Sequence, residues 1–169
     1  MLSKTESKIN TLTDLDLQTI TFKAYDGSKL FLNSRSKNFT LFLDDKSKAE
    51  INVKGDNTIL NLSKNASLKA LIVSNTMVID MYQNTDAKVE GDCNELKLRQ
   101  DNSSSFTGKN LTAKIAEVST ELNATASIVI KTTATLALSG KSEIELYGEP
   151  KIELKKFTDS AVLRKKPMK

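Results

Sequence analysis

The sequence predicts an all-β fold, a single-stranded parallel β-helix (β-solenoid), and three observations carry that prediction. Short apolar/polar alternations such as Ile51-Asn52-Val53 and Leu60-Asn61-Leu62 recur about every nine or ten residues. A two-residue period places the apolar side chains on one face of a strand. The spacings between successive alternations are long and short in turn. This indicates two strands in each coil of roughly 20 residues and about seven coils in all. Almost no helical pattern lies between them. A β-sandwich is the main alternative.

The strands begin at Leu15 and follow one another to Leu163. Their apolar members are Leu15/Leu17, Ile20/Phe22/Ala24, Leu30/Leu32, Phe39/Leu41/Leu43, Ile51/Val53, Leu60/Leu62, Leu68/Ala70/Ile72, Met77/Ile79/Met81, Ala87/Val89, Leu96/Leu98, Phe106, Leu111/Ala113/Ile115, Leu122/Ala124, Ile128/Ile130, Leu136/Leu138, Ile144/Leu146, Ile152/Leu154 and Ala161/Leu163. Turn-forming residues separate them. These turns are Asp26-Gly27, Gly55-Asp56-Asn57, Ser74-Asn75-Thr76, Asp101-Asn102-Ser103, Gly108-Lys109-Asn110, Ser139-Gly140-Lys141 and Gly148-Glu149-Pro150. In a stack of coils each strand pairs with the strand one coil away.

Three regions are expected along the chain. Residues 1–14 are polar and are predicted to be a flexible leader, residues 15–163 the β-helix domain, and residues 164–169 a basic tail. The segment of about residues 15–45 is rich in aromatic side chains, so we expect it to cap one end of the stack, where unpaired strand edges would be exposed.

The charges are interleaved rather than clustered, with 25 basic and 21 acidic residues and a net charge of +4. A nucleic-acid footprint needs a basic stripe with arginines or aromatics between the charges. This pattern is missing, so we expect no nucleic-acid partner. No apolar stretch approaches the ~20 residues of a membrane helix, and the N-terminus has no apolar signal core. The protein is therefore expected to be cytoplasmic, or to be an exported protein whose leader was removed.

The residue types needed for common catalytic sites are missing. The chain has no histidine, which excludes catalytic triads of the Ser-His-Asp or Cys-His type. Cys93 is the one cysteine, so no intrachain disulfide can form. No glycine-rich phosphate loop is present. We therefore expect no enzyme activity, no cofactor and no metal site.

Several strands are apolar on both faces, which simple alternation does not explain. One face can line the core, and the other must be covered by the same chain or by another subunit. A homo-oligomer contact is one hypothesis and coverage within the chain is the other. The residues concerned are Phe31, Phe42, Leu71, Val73, Val78 and Val129.

The stretch from Gly140 to Pro150, running on to Leu163, has the pattern Gly-x-Ser-x-Ile-x-x-x-Gly-x-Pro followed by a short strand and a basic end. It resembles the end of the autotransporter adhesin head GIN domain family. Gly140, Ser142, Gly148 and Pro150 form this structural turn motif. Gly148 can adopt a positive φ, and Pro150, which has no amide donor, suits the start of a strand.

The resemblance implies a right-handed parallel β-helix, exported in Bacteroidetes-type bacteria to the cell envelope or surface. It implies a non-enzymatic module for adhesion or scaffolding, with a surface glycan or a protein as ligand. Two alternatives stay open. One is a cytoplasmic, self-assembling scaffold of the bactofilin type, and the other is a carbohydrate-binding module whose outward polar rows hold the sugar.

Overall fold

A computed structural model describes residues 1–168, and this part of the chain is a β-solenoid of about nine turns without a helix. The strands are β1 Leu2–Ser3, β2 Lys8–Asn10, β3 Leu15–Ala24, β4 Lys29–Leu43, β5 Lys48–Leu62, β6 Ser67–Met81, β7 Asp86–Gln100, β8 Ser105–Thr120, β9 Thr125–Leu138, β10 Glu143–Tyr147, β11 Lys151–Phe157 and β12 Val162–Lys166. Residues 1–168 therefore include no helix that could span a membrane.

Every strand pairs in parallel with a strand one coil away, which confirms the β-solenoid and excludes the β-sandwich. Lys29 is opposite Lys48, Lys48 opposite Ser67, and Ser67 opposite Asp86. The step from each of these residues to the next is one coil. This step is constant here and slightly shorter than the coil length expected from the sequence. The right-handed sense implied by the family resemblance stays a prediction.

Each long strand bends once, and its burial pattern marks the bend. In β4 the buried positions are even-numbered up to Ser36 and odd-numbered from Phe39 onward. The change of phase turns both halves of the strand toward one interior. We call the half equivalent to residues 29–35 the first arm and the half equivalent to residues 38–43 the second arm. The predicted turns Gly55–Asn57 and Ser74–Thr76 lie at such bends but inside β5 and β6, because their backbones keep pairing with the next coil.

The other corner of each coil is a tight turn with left-handed residues. Asp45 and Lys46 have φ values of 47° and 61°, and Lys64 and Asn65, one coil later, have 48° and 63°. Asn tolerates this conformation better than most residues. The predicted turns at Asp26-Gly27, Asp101–Ser103 and Ser139–Lys141 fall at these corners. A buried residue follows most of these turns, such as Ser47 or Ala66.

One apolar core runs the length of the stack between the two arms. The first arm contributes positions such as Ile51 and Val53, and the second arm contributes Leu60 and Leu62. Near the first coils the core holds Phe22 and Phe39, whose ring centroids are 6.2 Å apart. Whether the aromatic-rich region acts as a cap stays a prediction.

Parts of the expected leader and of the expected basic tail form strands that pair with the coils. β1 pairs with β3 and β2 pairs with β4, so parts of the expected leader are in the sheet. Residues 164–166 of the expected basic tail lie in β12, which pairs with β10. Lys169 lies outside the described residues. These added segments, together with the shorter coil, raise the number of turns from the expected seven to about nine.

Candidate ligand-binding groove

The six residues proposed for an oligomer contact do not form one patch. Phe31, Leu71 and Val73 point outward from the first arms, whereas Phe42 and Val78 point outward from the second arms. Leu71 and Val73 are 48% and 44% exposed. Val129 is only 5% exposed, lies opposite Tyr147, and sits beside the strand irregularity after Gly108. Coverage within the chain therefore accounts for Val129, and an oligomer contact through the other five stays a proposal.

The outward face of the first arms carries a shallow groove of about 420 Å³. It crosses the five strands β2, β4, β5, β6 and β7. Its outward lining residues are Asn10, Phe31, Asn33, Glu50, Asn52, Lys69, Leu71, Lys88 and Glu90. A second depression of about 280 Å³ adjoins it, sharing Phe31, Glu50 and Lys69 and adding Lys29 and Lys48. We call the two together the first-arm groove.

The coil register arranges the groove in rows parallel to the solenoid axis. One row is Asn33, Asn52, Leu71 and Glu90; the next is Phe31, Glu50, Lys69 and Lys88; the third begins with Lys29 and Lys48. Neighbours in a row are about 4.8 Å apart, and neighbouring rows are roughly 6.7 Å apart along the strands. A linear ligand lying along the axis would meet an equivalent position in each coil.

The polar side chains of the groove have free hydrogen-bonding capacity. Among residues 1–168, neither Asn33 nor Asn52 makes a side-chain hydrogen bond, although the Asn33 backbone N–H donates to Thr11. Lys88 is paired with Glu90 at 2.7 Å. Lys8 lies over the Phe31 ring at 5.1 Å and covers one face of it.

A polar row at the start of the second arms shows the opposite arrangement. The Asn57 Nδ2 donates to the Asn38 Oδ1 at 2.8 Å, and the Thr76 hydroxyl donates to the Asn57 Oδ1 at 2.7 Å. The Asn38 Nδ2 in turn donates to the Thr19 hydroxyl at 3.2 Å. These amides use their capacity to join one coil to the next, so this row supports the fold and the first-arm groove is the better candidate site.

The four residues of the turn motif predicted from the sequence have structural roles in the backbone of the coils. Gly140 and Gly148 have φ values of 69° and 91°. A Cβ on Gly148 would lie 2.2 Å from the Ile130 carbonyl oxygen. Ser142 is buried, and its hydroxyl donates to the Thr120 carbonyl at 3.1 Å. Pro150 stands immediately before β11. We assign Gly140 and Ser142 to the tight turn before β10, and Gly148 and Pro150 to the bend between β10 and β11, rather than to a ligand.

Cys93 is a free, buried cysteine at the bend of β7, in a chain without histidine. Burial, and secondarily the negative charge of Asp92, raises the pKa of its thiol to about 12. Because the thiolate is the reactive form, we expect the folded protein to resist iodoacetamide at pH 8 for hours, while the urea-unfolded chain reacts within minutes. Intact-protein mass spectrometry measures both. Fast labelling of the folded protein at pH 8 would show that the bend opens to solvent.

Residues 1–168 contain no cluster of three or more His, Cys, Asp or Glu side chains that could hold a metal ion. The carboxylates of the groove stand instead beside lysines. The arrangement is suited to binding through charge, amide hydrogen bonds and apolar contact.

A family model described as "Putative auto-transporter adhesin, head GIN domain" matches residues 43–150, more than half of the chain. The chain belongs to this family. The match confirms the resemblance carried by the segment from Gly140 to Pro150, and it extends from the last residue of β4 to the residue before β11. Searches of curated proteins and of solved structures found no match. Within this head GIN domain, the matched residues include most of the first-arm groove.

The groove was not predicted from the sequence, although the sequence contains a signal for it. Asn33 and Asn52 have the same separation in the sequence as Lys29 and Lys48. That separation is the length of one coil, since Lys29 is opposite Lys48 in the sheet. Once the exact coil length is known, these spacings place each pair side by side on the outer face of the first arm.

Proposed function

We propose that this protein is a non-enzymatic adhesion module of the bacterial cell envelope or surface, and that it binds its ligand in the first-arm groove. The observation that carries the proposal is that polar side chains lining this groove have hydrogen-bonding groups without partners among the described residues. The chain also belongs to a family whose description names an adhesin. Adhesion requires an accessible surface that can form many weak contacts, and the groove repeats such contacts once per coil. The extracellular or envelope location is supported by the family description.

The lining supports a glycan or an extended polar chain as ligand. Asn33 and Asn52 present both donors and acceptors, and the exposed Leu71 together with the uncovered part of Phe31 offers apolar contact. Sites for such ligands combine apolar surface with a few polar groups that fix orientation. The groove is open, which favours a long ligand bound along the stack over a small enclosed one.

The proposal is tested by coating beads with the purified protein and measuring their retention under flow. The surfaces carry dextran, mannan, polygalacturonate, collagen or fibronectin. We expect retention on at least one surface, and a loss of roughly tenfold in the variant Asn33→Ala/Asn52→Ala/Leu71→Ala. The matched variant Thr40→Ala/Ile59→Ala/Val78→Ala changes outward positions of the second arms and should keep the wild-type retention. Retention that is absent everywhere, or that falls equally in both variants, would contradict the proposal.

A second candidate function, self-assembly into a scaffold, is favoured by one observation at the last coil. Ile152, Leu154 and Phe157 continue inward-facing columns of the core, yet they are 40%, 50% and 48% exposed. We propose that a second copy stacks on this surface in the register of a further coil. Static light scattering tests this candidate: mass that rises with concentration in the wild type and not in Leu154→Lys supports it, and a monomer at all concentrations rejects it.

A further inference from the structure

We propose that the ligand of the first-arm groove is a carboxylated polysaccharide that lies along the solenoid axis. This inference rests on the proposed function, because it names the chemical class bound at the same site. The starting observation is the distribution of charge. The lining contains Lys29, Lys48, Lys69 and Lys88 against the two carboxylates of Glu50 and Glu90.

The lysines follow the axis in an ordered way. Lys29 and Lys48 occupy one row in β4 and β5, and Lys69 and Lys88 occupy the neighbouring row in β6 and β7. Each coil therefore adds one ammonium group, about 4.8 Å from the previous coil along the axis. A polymer that carries negative charges at regular intervals can meet several of these groups at once.

Most of these lysines are not paired with a carboxylate of the same chain. In the part of the chain that the structure describes, Lys29, Lys48 and Lys69 have no carboxylate within 4.0 Å, whereas Lys88 is held by Glu90. All four side chains are exposed. Elsewhere on the surface, lysines are paired across coils, as Lys64 is with Asp44 at 3.1 Å and Lys97 with Glu117 at 3.4 Å. Three ammonium groups without a carboxylate partner thus lie beside one groove, and they give it a local excess of positive charge that can bind an anionic ligand.

The rest of the lining favours a sugar chain over a nucleic acid. The amides of Asn33 and Asn52 can bond hydroxyl groups on the side of the groove opposite Lys29 and Lys48. The amide of Asn10 lies beside Phe31 in the middle row and can bond them there. Proteins that hold single-stranded nucleic acids combine a positively charged groove with several aromatic side chains on which successive bases stack. Phe31 is the one aromatic residue of this lining, and Lys8 already covers one of its faces. The hydroxyl groups and carboxylates of a carboxylated sugar chain match these contacts better than a nucleic acid does.

The test measures binding of the full chain to polygalacturonate, alginate and hyaluronate by biolayer interferometry. Dextran serves as the neutral control and single-stranded poly(dT) as the nucleic-acid control. We expect at least one of the three carboxylated chains to bind, with an affinity that falls at least tenfold between 50 and 300 mM salt, since screening weakens exposed charge pairs. The variant Lys29→Ala/Lys48→Ala/Lys69→Ala should weaken binding roughly tenfold or more. The variant Lys37→Ala/Lys114→Ala/Lys141→Ala has the same net charge, with exposed lysines removed outside the groove, and should bind like the wild type.

Several results would overturn the inference. They are no binding to any of the three carboxylated chains, equal losses in the two lysine variants, or tighter binding to dextran or poly(dT). Failure here is distinguishable from failure of the proposed function. If beads are retained on a neutral or protein surface and released by the Asn33→Ala/Asn52→Ala/Leu71→Ala change, the groove is still the binding site and only the ligand class is wrong.

Discussion

The Gly91→Ala variant is expected to lose roughly 3 kcal/mol or more of unfolding free energy, because two costs coincide at this position. Gly91 has a φ of 115°, where a side chain is strained. An added Cβ would also lie 2.0 Å from the Ile72 carbonyl oxygen of the preceding coil. Relief requires the coils to separate, which breaks the parallel pairing between β6 and β7. Urea unfolding followed by circular dichroism measures the loss.

Gly27→Ala is the matched control for this prediction. Gly27 also has a positive φ, of 71°, but an added Cβ would meet only the Glu6 side chain, at 3.7 Å. This variant should lose only about 1–2 kcal/mol, the cost of the left-handed conformation alone. Equal losses in the two variants would show that close coil-to-coil contact at the bend contributes little to stability.

Leu60→Ala is expected to destabilise the protein by about 2–5 kcal/mol, the usual range for truncating a buried leucine. Leu60 is fully buried in the second arm of β5, between Leu41 and Ile79 of the adjacent coils. The cavity would open in the middle of the stack, where parallel pairing on both sides restricts relaxation. The same urea unfolding experiment measures this loss.

The neighbouring residue provides the control for Leu60. Ile59 points outward and is 39% exposed, so Ile59→Ala should cost less than about 1 kcal/mol. The comparison tests the assignment of inward and outward faces in the second arm. A larger loss for Ile59→Ala than for Leu60→Ala would mean that this register is shifted by one residue, since such a shift exchanges the two faces.

Local sequence patterns predicted the buried faces of the arms because alternation is a local property. Ile51, Val53, Leu60 and Leu62 were assigned to one face by their spacing alone, and all four are buried. The corner at Asp101–Ser103 was predicted for a similar reason, since turn chemistry depends on a few adjacent residues. The family assignment from the stretch that ends at Pro150 rested on local spacing as well, and the family match confirms it.

Features that depend on the exact coil length could not be predicted in the same way. An approximate repeat does not place Asn33 beside Asn52, because an error of a single residue moves a side chain to the opposite face of its strand. The observed register does place the two side by side. The burial of Val129 depends on the irregular pairing after Gly108, which alternation does not reveal. The strands at Leu2–Ser3 and Lys8–Asn10 are too short and polar for a periodic signal, and their pairing with complete coils holds them in the sheet.

The location of the protein in its native cell tests the central claim of a surface adhesion module most directly. Intact cells are treated with a protease, then fractionated, and the protein is followed with an antibody alongside a cytosolic marker. We predict that the protein is found in the envelope fraction and is cleaved from outside while the marker stays intact. Protein found only in the cytosol, and protected until the cells are lysed, would contradict the adhesion function and leave the self-assembling scaffold as the candidate.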